Sequence, residues 1–185
     1  MTIQNTETIF NILGRGGFIS QNSTDADRSR LYDDIEENEE EYRAYFKGIG
    51  FMLEGGNGYY YFTRKEPKIN VQEKVERLAE WIDILDFLTT FDPIFTSGYE
   101  FRPADIEARL STDIELKGKA EQLIAKGQTF HEFTEKLIDR MKSFGIIETA
   151  NELESTYRVT AAFRYIEELV NALKIAEEVK DEIPE

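Results

Sequence analysis

The chain has 185 residues, 41% of them hydrophobic and 12% aromatic, which is enough apolar material for one ordinary domain or two small ones and excludes wholesale disorder. Its 22 Lys and Arg stand against 37 Asp and Glu, a net charge of −15; such a field repels phosphate backbones and anionic membrane surfaces and favours solubility or a basic partner. With no cysteine, disulfides, thiol nucleophiles and thiolate metal sites are excluded. The first residues, MTIQNTETIF, lack a basic region followed by an apolar core, and no apolar stretch approaches the roughly 18 residues of a membrane helix. A cytosolic protein is expected.

In chain order, Ile9, Phe10 and Leu13 recur at helical spacing over residues 6–13, with Gly14 as the stop, and GGFIS (16–20) is a short extended piece. Ser23 and Thr24 precede Asp25 and Asp27, an N-cap with acids in the first turn, and that helix carries Leu31, Tyr32 and Ile35. The next helix places Tyr42, Tyr45, Phe46 and Ile49 on one stripe and ends near Gly50. A β-hairpin follows, Phe51–Leu53 against Tyr59–Thr63, with the intervening glycines supplying the positive φ angles of a tight loop. EPKIN (66–70) reads as a linker because Pro67 resists both helix and sheet interior. Val71, Val75, Leu78, Ile82, Leu85 and Leu88 then mark a strong amphipathic helix, and Trp81, Ile84 and Phe87 widen its apolar face. DPIFTSG breaks it, YEF (99–101) is again extended, and helices are predicted from Pro103, from about Thr112 and over 129–144. Gly145 ends the last of these. Residues 145–160 read as a second hairpin, and a final helix runs from Ala161 into an acidic tail.

The two halves thus share one order: helix, short extended piece, helices, hairpin. That is the order of a winged helix-turn-helix written twice, the second copy with an extra helix and a closing one. The expected fold is α+β and mainly helical, with tandem winged-helix units at 1–66 and 71–185 and a linker at 67–70.

In a winged helix the element before the wing normally enters the major groove. Here it is fed by DDIEENEEE (33–41), seven carboxylates in nine residues, which repel phosphate at close range. The second candidate, FHEFTEKLIDRMKSFG, balances its charges at best. Only Arg64, Lys65 and Lys68, at the base of the first wing, are locally basic, so they are the candidates for a weak nucleic-acid contact. Along the strand, Tyr59 and Tyr61 share one face and Tyr60 and Phe62 the other. One pair suits the core; the other suits either core or a protein interface, where tyrosine is enriched. Tyr60, Phe62, Trp81 and Phe87 are the expected interface residues.

No catalytic, cofactor or metal site is expected. His131 sits in HEFTE, but residue 135 is Glu where a zinc motif needs a second His, and the chain has a single histidine. G-x-S-x-G is absent, GRGG (14–17) lacks the G-K-[ST] of a P-loop, and Arg30 fills the glycine position of an EF-hand read over 25–36.

EEEYRAYFKGIGFMLEGGNGYYYF resembles the first-wing region of the MukE-like proteins, the winged-helix accessory subunits of bacterial MukBEF, MksBEF and Wadjet-type complexes of SMC (structural maintenance of chromosomes) ATPases. FGIIETANELESTYRVTAAFRYIEELVNAL is similar to their second wing and closing helix. The resemblance implies a non-catalytic, usually dimeric subunit that binds a kleisin and through it an SMC ATPase, with DNA touched only indirectly. The competing reading from the residues is a dimeric winged-helix transcriptional regulator using Arg64, Lys65 and Lys68; an enzyme of unrecognised type is a distant third.

Overall fold

A computed structural model describes residues 3–63 and 70–181, with the side chains of 70–79 and 173–181 excepted. The first half runs α1 (Thr6–Leu13), β1 (Ile19–Ser20), α2 (Ala26–Glu37), α3 (Glu39–Gly48), β2 (Met52–Gly56) and β3 (Tyr59–Thr63). The second runs α4 (Asn70–Phe91), β4 (Glu100–Phe101), α5 (Pro103–Thr112), α6 (Ile114–Leu123), α7 (Phe130–Phe144), β5 (Ile147–Asn151), β6 (Thr156–Val159) and α8 (Phe163–Asp181). The fold is α+β and mainly helical, with two small antiparallel sheets. Their strand orders correspond: β1-β3-β2 in one half and β4-β6-β5 in the other, each short strand pairing with the second strand of its hairpin. The expected linker at 67–70 lies, but for Asn70, outside the described residues.

Local chemistry explains most boundaries. At the start of α7, the Thr129 hydroxyl accepts from Glu132 N–H and the Glu132 carboxylate accepts from Thr129 N–H at 2.8 Å, satisfying donors that the helix leaves free. Gly145 closes the same helix at φ 84°, accepting the left-handed conformation that a side chain would oppose. In the first hairpin β2 extends through Gly55 and Gly56, so the connecting loop is only Asn57 and Gly58, shorter than the five residues expected, and of the three glycines only Gly58 has the expected positive φ, 89°. Gly56 has a steric reason to lack a side chain. A Cβ on Gly56 would lie 2.0 Å from Cζ of Tyr59, so the ring of the paired residue occupies the space that a side chain would need.

α2 starts one residue later than its sequence implies. Asp25 is its cap, accepting from Asp27 and Arg28 N–H. Ser23 and Thr24 are occupied elsewhere: Glu148 Oε2, on β5, accepts from Ser23 Oγ at 2.8 Å and from Thr24 N–H at 2.7 Å.

Two buried clusters form the interior. The smaller gathers Ile9, Leu13, Ile19, Ile35, Tyr42, Phe46 and Leu53 of the first half. The larger fills the second half from Trp81 to Val170, and it also takes in Phe18 and Tyr59 of the first half. The two halves are therefore joined through shared core as well as through chain.

Candidate partner-binding surfaces

The aromatic hairpin is spent inside the molecule. On one face of β3, Tyr59 is buried and its hydroxyl donates to Glu168 on α8 at 3.1 Å. Tyr61 packs on Tyr165 with ring centroids 4.9 Å apart, and Phe18 bridges Tyr59, Tyr61, Phe144 and Tyr165. At the hairpin tip, Arg164 donates to the Asn57 carbonyl at 2.6 Å, and Gly58 lies against the Ala161 methyl. On the other face, Tyr60 stacks beside Tyr32 at 5.2 Å and donates to Glu39 at 3.1 Å. Burial, then the Glu39 charge, pushes its phenol well above the ordinary range, so it stays a neutral donor.

Three of the four expected interface residues consequently belong to the core. Tyr60 is 5% exposed, Trp81 3% and Phe87 0%. Trp81 lies against Phe144 at 5.1 Å with the Arg140 guanidinium over its ring, and Phe87 meets Phe133 edge-on at 5.3 Å. Phe62 is half-buried among Phe46 and Phe51. Hydrophobic spacing identified these side chains as sticky but could not say that the helices of their own half cover them. Arg64, Lys65 and Lys68 lie outside the described residues.

The apolar surface that is open is carried by other residues. Tyr45 on α3 is 46% exposed, Ile49 just after it 51%, and Met52 at the start of β2 44%. The single stripe expected for α3 is two stripes: Tyr42 and Phe46 face the core, while Tyr45 and Ile49, also four residues apart, face out. That second i, i+4 pair is the signal that sequence reading could have used. Beside it β2 is the sheet's edge, and Arg43 covers it by donating to the Leu53 carbonyl and lying 3.8 Å from Glu54.

A second feature is the cleft of about 660 Å³ between the start of α5, α7 and the β5–β6 turn. Glu107, Glu135, Asp139 and Glu154 line it around His131. His131 Nδ1 is 2.8 Å from Glu107 and Nε2 3.6 Å from Glu135, and the bond to Glu107 raises its pKa above the ordinary histidine value. Among the described residues no three His, Asp or Glu side chains converge as metal ligands, and no helix is long and apolar enough to cross a membrane.

A search of curated proteins gives no match. The family model described as condensin complex protein MksE matches residues 4–170, from before α1 to well inside α8. The match covers both halves and the joint between them, and the chain belongs to the MksE family.

Proposed function

We propose that this protein is a non-catalytic, protein-binding subunit of a bacterial condensin-like complex, engaging a kleisin and, through it, an SMC ATPase. The observation that carries the reading is the family match across residues 4–170. In this reading each half is a winged-helix unit, 1–66 and 71–185, put to protein binding rather than DNA reading. A homodimer, a cytoplasmic location close to the nucleoid and indirect contact with DNA go with it, in the service of chromosome organisation or plasmid defence. Electrostatics supports the same choice: Glu39, Glu40 and Glu41 open α3, the helix that would have to face the phosphates. No observation favours a DNA-binding regulator.

The test is co-expression of the tagged chain with the kleisin and SMC genes of its own genome, followed by nuclease treatment and size-exclusion chromatography. Co-elution with the kleisin in the absence of DNA is expected. Elution of the chain without the kleisin, with specific DNA recovered from untreated lysate, would overturn the reading.

A further inference from the structure

A cleft of about 430 Å³ lies where the end of α1 and the residues before β1 meet the end of α7. Its charged lining is Arg15, Arg28 and Lys142, and no carboxylate among the described residues lines it. In a chain of net charge −15, three neighbouring cations without lining acids are the reverse of what self-repulsion and composition favour.

The cations are also available. Arg15 makes no hydrogen bond or ion pair among the described residues. Arg28 is held loosely, 3.5 Å from Glu148 and 3.9 Å from Asp25, beyond the 2.7–2.9 Å of a strong charge-assisted bond. Lys142 makes no ion pair there either; its ammonium lies 5.4 Å from the Tyr157 ring centroid, a soft contact that is cheaply exchanged. Thr8 and Asn11 add neutral donors at the rim, and Ile12 and Phe18 give the cleft an apolar wall. The site is stiff, because Phe18 is wedged between Phe144 and Tyr165.

The geometry points to an anion-binding groove for an acidic segment of a partner protein, one that carries Asp or Glu beside an apolar side chain. A concave groove with an apolar wall takes side chains of that kind. Duplex DNA instead needs many phosphate contacts spread along a surface, and the field of the molecule opposes its approach. Since the partner is taken to be the kleisin, this inference rests on the function proposed above.

The affinity of the purified kleisin for the wild-type chain and for R15Q/K142Q, measured by calorimetry at low and at physiological salt, tests it. Both side chains are exposed and make no ion pair among the described residues, and thermal unfolding of the variant, measured alongside, separates a loss of binding from a folding defect. The expected result is a loss of about tenfold or more in affinity with a shallower salt dependence. Equal affinity and equal salt dependence for the two proteins would overturn the groove while leaving the kleisin reading intact. Failure of the wild-type chain to bind the kleisin would overturn the reading beneath it. If the substitutions weaken binding of a short DNA duplex, or self-association, and not of the kleisin, the occupant is wrong.

Discussion

The joint between the halves turns on Asn22, and its removal has a definite expected cost. Asn22 donates from Nδ2 to the Val159 carbonyl at 3.0 Å and accepts at Oδ1 from Ala161 N–H at 2.7 Å. In Asn22→Ala the Val159 carbonyl keeps a second donor, Gly98 N–H at 2.8 Å, so that loss is one ordinary bond of about 1 kcal/mol. Ala161 N–H has no such substitute and sits at a buried residue, which adds about another 1 kcal/mol. Asn22 is itself only half-buried, so water limits the total to about 2 kcal/mol. For a chain of this length that is about 4–8 °C in thermal midpoint. Unfolding should be followed both by far-ultraviolet circular dichroism and by the fluorescence of Trp81, the sole tryptophan, which reports on the second half. Coincident transitions are expected in the wild type and a shifted midpoint in the variant. A shift under about 1 °C, or wild-type transitions that already separate, would refute a joint held through Asn22.

Three further outcomes follow from particular contacts. Gly56→Ala sets a methyl 2.0 Å from Cζ of buried Tyr59; the ring must leave the joint, so the cost should approach that of Tyr59→Ala, about 3 kcal/mol or more, against under about 1 kcal/mol gained from a better strand residue. Urea denaturation of the two variants and their combination should show strong non-additivity, and additive losses would refute the shared cause. Ser20 is buried with an Oγ that finds no hydrogen-bond partner among the described residues, so Ser20→Ala should be neutral or stabilising by up to about 1 kcal/mol; a clear loss in the same assay would mean the hydroxyl is satisfied after all. His131, the sole histidine, has its folded pKa raised first by the bond to Glu107, so its favourable contribution is present below about pH 6.5 and is lost as pH rises through the folded pKa. Its imidazole proton signal should therefore titrate above the usual histidine value, and Glu107→Gln should bring the midpoint down; an unchanged midpoint would refute the pairing.

Much of the fold was legible because its signals are local. Gly145 after an apolar run and Thr129 before one each specify a boundary within a few positions, and the structure places the boundaries there. The repeated element order followed from those boundaries. What could not be read was which surface each apolar stripe meets. Tyr45 and Ile49 differ from Tyr42 and Phe46 only in which side of α3 the rest of the chain covers. Asn22 and Glu148 were invisible as joint residues, since their partners lie 137 and 125 positions away and no local pattern marks either.

That distinction changes where a partner can bind. Exposed aromatics on a hairpin are natural docking residues, but here Tyr59, Tyr60 and Tyr61 are consumed in joining one half to the other and to its own helices. Among the described residues the folded chain leaves other surfaces open, including the end of α3 with Tyr45 and Ile49, the acidic cleft around His131 and the basic groove at Arg15. These differ in charge. The groove at Arg15 is positive, whereas Glu40 and Glu41 flank the α3 face and four carboxylates line the His131 cleft. A single kleisin that touched more than one would have to alternate acidic, apolar and basic stretches along its length.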